Sequence, residues 1–236
     1  MHALLGRVLV SALVAASLTP FVAAKGCAGE DSADVNQSRI NTFYWLYVDA
    51  NADTTSVRAQ FRFGGPLGTL LHLDAPASVK VDGKTMGYND LLGWHETTLA
   101  GQSDDVDIVY LDADGDTFTN HLGPVRPLTV KAGTALTIDR SHSFTLPLDG
   151  EPLGKDETIE VTVQSVGDPL QLQIFLGHTE GADDIVLTQD KLDTLPAGAA
   201  RIIVKRHADS VPAEMPAAGG KITVTFQAED AAATLE

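Results

Sequence analysis

Between Ser56 and Phe63 the chain reads SVRAQFRF, and every second residue is apolar. Val57, Ala59, Phe61 and Phe63 fall on one side, with Ser56, Arg58, Gln60 and Arg62 on the other. Successive side chains of a strand point to opposite faces, whereas a helix would scatter these residues around its axis. The segment is therefore expected to be a strand with one face on a core and one in water. The same pattern recurs along the chain. INTFYWLYV, from Ile40, is β-branched and aromatic; it divides into Phe43, Trp45 and Tyr47 on one face and Tyr44, Leu46 and Val48 on the other. ETIEVTVQSV sets Ile159, Val161 and Val163 in one row. Turn formers separate these runs. In VDGK, Asp82 and Gly83 form the two-residue hairpin signal, because both central positions need positive φ. A content of 21 Gly and 11 Pro fits many short strands joined by tight turns. DKLDTLPAG, with Leu192 and Leu195 three apart, predicts a short helix.

Strands at short, even intervals, without alternating helices, predict an all-β chain: two antiparallel immunoglobulin-like β-sandwich domains in tandem after a signal peptide and an acidic linker. The expected bounds are residues 1–26 for the signal, 27–38 for a flexible linker, 39–140 for the first sandwich and 141–236 for the second. The signal is read from MHALLGRVLVSALVAASLTPFVAA, which has one positive charge at Arg7, an apolar run and small residues at its end. The sole cysteine, Cys27, stands just beyond it, which excludes an internal disulfide. Its position after Gly26 predicts lipidation; Lys25 departs from the lipoprotein pattern, and cleavage after Ala24 is the alternative. AGEDSADVNQS, which follows, is polar, acidic and aperiodic, as a tether would be. The expected location is thus outside the cytoplasm, lipid-anchored in the cell envelope or extracellular.

The formal net charge of -16 repels phosphate backbones and anionic headgroups. Nucleic acid is excluded as a partner on that ground, and membrane contact is expected only through an anchor on Cys27.

Catalytic signatures are missing. No G-x-S-x-G elbow occurs, and His95–Glu96 begins like a zincin helix but continues Thr97, Thr98, Leu99, without the second histidine. No catalytic residue and no bound cofactor is therefore expected, with calcium the candidate cation. It would sit at LDADGD, where Asp112, Asp114 and Asp116 alternate around Gly115. A calcium loop of the EF-hand type needs Gly at its sixth position and a bidentate Glu at its twelfth. Counted from Asp112 those positions hold Thr117 and Gly123, and counted from Asp49, in DANADTT, they hold Thr54 and Gln60. A hairpin accounts for the glycine without a metal: with Asp114 and Gly115 central, Ala113 faces Asp116, Asp112 faces Thr117 and Leu111 faces Phe118. Trp94 and Tyr88 are the candidate ligand-binding residues. A sugar-stacking surface built from them with Trp45, Tyr44 and Tyr47 competes with plain packing, and packing is the expectation for aromatic residues in strands.

RINTFYWLYVDANADTTSVRAQFRFGGPLGTLLHL, the VDGK hairpin, and later ARIIVKRHAD with GGKITVTF resemble a set of uncharacterised secreted bacterial proteins, often lipoproteins, with tandem β-sandwich modules. The resemblance covers most of residues 38–228. It implies fold and compartment and brings no catalytic residues. The functional expectation is a non-catalytic exported cell-envelope protein with a structural, adhesion or interaction role, whose partner is an envelope protein or glycan. The alternative is a carbohydrate- or calcium-binding β-sandwich module.

Overall fold

The computed structural model describes residues 30–134, 136–167 and 169–236; the expected signal peptide and Cys27 lie outside the described residues. Of the described residues 54% lie in strands and 5% in helices, and the strands form several sheets. In order the strands are β1 (Glu30–Asp31), β2 (Ile40–Asp49), β3 (Thr54–Phe63), β4 (Thr69–His72), β5 (Ser78–Val81), β6 (Lys84–Thr85), β7 (Gly87–Asn89), β8 (Trp94–Ala100), β9 (Val106–Leu111) and β10 (Thr117–Leu122). They continue as β11 (Leu128–Val130), β12 (Thr137–Ile138), β13 (Phe144–Gly150), β14 (Glu157–Ser165), β15 (Leu172–Gly177) and β16 (Asp184–Leu187). The expected short helix, α1 (Gln189–Leu192), precedes β17 (Gly198–Ser210), β18 (Gly220–Gln227) and β19 (Ala231–Leu235).

One twelve-stranded sheet follows the path β1-β4-β3-β2-β18-β17-β14-β15, with β8 alongside β3 and β19 alongside β17. A four-stranded sheet, β10-β9-β5-β6, and a three-stranded sheet, β11-β13-β16, complete the architecture. Residues 139–142, where a division between two units is expected, fall between β12 and β13, yet strands from both sides of that point share the large sheet. The join is β2 against β18, parallel, from Thr42 opposite Gly220 to Asp49 opposite Gln227. Its register explains it: Tyr44, Leu46 and Val48 stand beside Ile222, Val224 and Phe226, so two apolar rows become one continuous surface. Each of these side chains contributes roughly 1.5–3 kcal/mol when buried.

That surface is the core. Phe61 of β3 lies 4.5 Å, centroid to centroid, from Tyr110 of β9, which brings the four-stranded sheet onto the large one. Leu146, Leu148, Ile185 and Leu187 of the three-stranded sheet belong to the same buried cluster as Ile159, Val161 and Val163.

Two local expectations need correction. Residues 30–38 pack against the fold instead of forming a loose tether. β1 pairs in parallel with β4, Glu30 opposite Leu71 and Asp31 opposite His72. Two single 3-10 turns follow, capped by the carboxylate of Asp31 and the amide of Asn36. Gln37 is buried, donating to the carbonyls of Ser32 (2.7 Å) and Val35 (2.8 Å) and accepting from the Ala113 N–H. Polar composition suggested solvation, but short polar side chains satisfy backbone groups equally well.

The second correction is the register at LDADGD. VDGK is the expected tight hairpin, with φ of 47° at Asp82 and 79° at Gly83 and Val81 opposite Lys84. At Asp114 the backbone has no positive φ, and only Gly115 does, at 95°. The two-residue turn is therefore replaced by a five-residue loop, Leu111 faces Thr117, and Phe118 faces Tyr110. The cause is the Asp112 carboxylate, whose Oδ1 accepts the N–H groups of Asp114 (3.0 Å) and Asp116 (2.8 Å), while its own N–H donates to the Asp116 carbonyl (2.9 Å).

Candidate functional site

The inner face of the large sheet is covered and its outer face is not. Across β2, β3 and β8 the pairing sets Trp45 opposite Arg58 and Arg58 opposite Glu96, while Tyr47 stands opposite Ser56 and, on β18, Thr225. Trp94 is two residues before Glu96 and shares its face. Strand alternation thus collects Trp45, Tyr47, Ser56, Arg58, Trp94 and Thr225 around one depression of about 320 Å³. Both tryptophans of the chain line it.

Its side chains are held in place. The Trp94 indole N–H donates to Glu96 Oε2 at 2.9 Å, and the Arg58 guanidinium lies 4.7 Å over the Trp94 ring. Glu96 also accepts from Asn89 Nδ2 at 2.8 Å and has Arg58 at 3.7 Å. The hydrogen bonds from Asn89 and Trp94 hold the Glu96 carboxyl below its ordinary range, so it stays ionised. Tyr47 donates its hydroxyl proton to Gln227, and burial, with Asp49 and Asp230 nearby, pushes it up to about 12. Along β2, Phe43 stacks on Trp45 with centroids 6.2 Å apart and an interplanar angle of 22°. The expectation that these aromatics serve plain packing holds for Tyr44, which is buried; Phe43, Trp45 and Tyr47 are half-buried on the water side.

Trp94 and Tyr88 are not brought together. Tyr88 pairs with His95 across β7 and β8, so it faces away from Trp94. It packs on the rings of His72 (4.3 Å) and His95 (4.9 Å). His95 is 4% exposed, and burial, with His72 as a second cause, lowers its pKa to about 4 against the pull of the Met86 carbonyl.

The acidic loop lines a separate hollow of about 300 Å³ with Gln37, Phe118 and Met215. Asp112 is 2% exposed and turned inward onto its own loop, while Asp114 and Asp116 are exposed. Among the described residues, no three His, Cys, Asp or Glu side chains converge as a metal site. The other acidic turn is likewise closed by its own backbone: Asp49 Oδ1 accepts from the N–H groups of Asn51 (2.9 Å) and Ala52 (3.3 Å), and Asn51 is tied to the Ala228 carbonyl.

One cluster that the sequence reading passed over has the composition of a hydrolase triad. Asp139, Ser141 and His142 lie within 2.9 Å of one another. Both Ser141 Oγ and Asp139 Oδ2 approach the same ring nitrogen, Nδ1, and all three residues are exposed. A triad needs the nucleophile on one ring nitrogen and the carboxylate on the other, so no proton path runs through this histidine. The hydroxyl and N–H of Ser141 lower the Asp139 carboxyl to about 2, the behaviour of an acid closing a turn.

No family model matches the chain, and no curated protein matches it. Among solved structures it is similar to one from a study of host cell surface retention of a 1.5-MDa bacterial ice-binding adhesin, at 11% identity over 85% of this chain and a TM-score of 0.19. The aligned part is 66% of that structure's length. The likeness is weak. Among the described residues no helix is long and apolar enough to cross a membrane.

Proposed function

We propose that the protein is a non-catalytic, exported cell-envelope protein that works by binding, with the outer face of its large sheet as the contact surface. In this reading each half of the chain is a sandwich-like module, a part of the large sheet with its own small sheet, and the two are fused edge to edge through β2 and β18. The observation that carries it is the convergence of both tryptophans, distant in sequence, on one depression of an uncovered sheet face. Partly exposed indoles keep a rigid aromatic surface available for recognition, and such surfaces dominate binding energy. Export is supported by the N-terminal sequence, and the lack of turnover by the turn-closing roles of Asp112 and Asp139. Calcium is not taken as a second reading: Asp112 Oδ1 accepts two backbone N–H groups, and among the described residues no three acidic side chains converge.

The test is co-sedimentation of the chain from Glu30 onward with purified bacterial envelope fragments, beside a hydrolase screen on the same material. The expected result is that the wild type pellets, that the Trp45→Ala/Trp94→Ala variant stays in the supernatant while its circular dichroism shows the fold retained, and that no substrate is turned over. Equal pelleting of the two proteins, or hydrolysis, would overturn the reading.

A further inference from the structure

The depression between Trp45 and Trp94 has a definite chemistry, and its charge restricts what can occupy it. Its floor and walls are aromatic, from Trp45, Tyr47 and Trp94, and its polar groups are the hydroxyls of Ser56 and Thr225 and the guanidinium of Arg58. A few placed polar groups in an aromatic cleft are the usual form of a small-ligand site. A cationic ligand would meet the Arg58 guanidinium. An anionic one would meet Glu96, which already holds Arg58 at 3.7 Å, on a face whose other cations are taken up, Lys205 by Glu160 at 3.2 Å and Lys221 by Asp209 at 2.8 Å, and on a chain of net charge -16. What remains is an uncharged ligand with apolar C–H surface on its faces and hydroxyls at its edges.

We propose that this cleft binds the pyranose rings of a neutral glycan. The inference rests on the reading of the outer face as the contact surface and names its occupant. The faces of the sugar rings lie against the indole surface that Arg58 and Phe43 leave open, and the ring hydroxyls meet Ser56, Thr225 and Arg58. Preorganisation favours this. The Trp94 ring is fixed from its edge by Glu96 and from its face by Arg58, Tyr47 is fixed by Gln227, and Thr225 Oγ1 is fixed by His207 Nδ1 at 2.9 Å. Little side-chain freedom is left to lose on binding. Phe43, stacked on Trp45, extends the aromatic row along β2 by one same-face step of about 7 Å, so the ligand is a chain of at least two sugars.

The assay follows from composition. Both tryptophans of the chain lie in the cleft, so its intrinsic indole emission reports on this site. The chain is titrated with hexasaccharides of glucose, mannose, galactose and N-acetylglucosamine, and with oligogalacturonate as the acidic counterpart. The expected result is a saturable change with at least one neutral series and a weaker or absent response to the acidic one. Trp45→Ala and Trp94→Ala, followed calorimetrically, should each weaken binding about tenfold or more, as for a contact-centre aromatic. Ser56→Ala should weaken it several-fold, and Trp45→Phe should retain part of the affinity, which separates a lost stacking surface from a lost fold. No saturation with any neutral series, tighter binding of oligogalacturonate, or variants that bind like the wild type would overturn the proposal. If Trp45 and Trp94 are needed for envelope retention while no neutral sugar binds, the glycan falls and the contact face stands. If a neutral sugar binds at the tryptophans while retention is unchanged, the glycan stands and the envelope role falls.

Discussion

Replacing His95 by glutamine should remove much of the acid sensitivity of this fold. His95 sits on β8 at 4% exposure, its ring 5.9 Å from Phe61, 4.9 Å from Tyr88 and 6.1 Å from His72. Burial is the main reason its pKa falls to about 4, and the neighbouring imidazole of His72, itself 3.3 Å from Asp74, adds to it. A histidine lowered on folding binds its proton more readily when unfolded. Its contribution is therefore fully present above the unfolded pKa and is lost as pH falls from about 6.5 towards about 4. The full shift corresponds to roughly 3 kcal/mol, of which about 2 kcal/mol is already lost on going from about pH 7.5 to about pH 5. Against a typical total of about 5–15 kcal/mol this is a large fraction. Other groups titrate too: burial also lowers His207, in the same direction. Urea unfolding followed by circular dichroism at both pH values, on wild type and His95→Gln, isolates the His95 share, because other titrations cancel in the difference. The variant should be less stable at the higher pH and lose about 2 kcal/mol less on acidification. Equal losses in the two proteins would refute the assignment of His95 as a buried neutral imidazole.

The remaining predictions concern groups that hold the fold. Glu157 and Arg206, 8% and 2% exposed, form a buried pair that Arg126 joins at 3.0 Å; burial raises the Glu157 carboxyl, but Arg206 and the Gly154 N–H outweigh it and hold it below its ordinary range. Glu157→Ala should cost about 3–5 kcal/mol in denaturant unfolding by stranding a buried guanidinium, and Glu157→Leu with Arg206→Met should recover most of it. Asp112→Ala strands two loop N–H groups and should cost about 1–3 kcal/mol. Millimolar calcium should leave the melting temperature of the wild type unchanged, and a rise would refute the turn-closing reading of Asp112. Lys191 donates to the Ile174 carbonyl at 2.6 Å on edge strand β15, whose outer face exposes Leu172, Ile174 and Leu176. Lys191→Ala should uncover that edge and raise self-association in analytical ultracentrifugation; a variant as monodisperse as the wild type would contradict this.

The strands were legible because side-chain alternation is a local property, and SVRAQFRF and ETIEVTVQSV each become one strand with the expected buried row. What alternation does not carry is the partner. Nothing in GGKITVTF says that it will lie parallel to INTFYWLYV across more than 170 residues, so the shared sheet was out of reach while its strands were not. Gln60 shows a similar limit. It belongs to the polar row of β3, yet it is 8% exposed because the turn before β8 closes over it and its amide donates to the Gly93 carbonyl. At LDADGD a side chain decided the turn: Asp112 reached back to two N–H groups and lengthened the loop. The proposed contact face was half visible. Trp45 and Trp94 were each noticed, but their meeting depends on β8 pairing with β3, and the same pairing sends Tyr88 to the other side.

The neighbouring strands β2 and β18 give the strongest argument that the outer aromatics serve something other than folding. They run parallel in one sheet, and their inner rows are equivalent: Tyr44, Leu46 and Val48 beside Ile222, Val224 and Phe226. Their outer rows are not. Beside Phe43, Trp45 and Tyr47 stand Lys221, Thr223 and Thr225, all polar, with Lys221 exposed and Thr225 covered. Since β18 achieves the same burial with a polar outer row, packing the core does not require an aromatic one on β2. The indole of Trp45 leaves apolar area in contact with water, which costs solubility and returns little stability. Trp94 repeats that choice from another strand and comes to rest in the same depression, pinned by Glu96 and Arg58. Two partly exposed indoles held rigidly over one cleft fit the proposed contact role better than a role in folding alone.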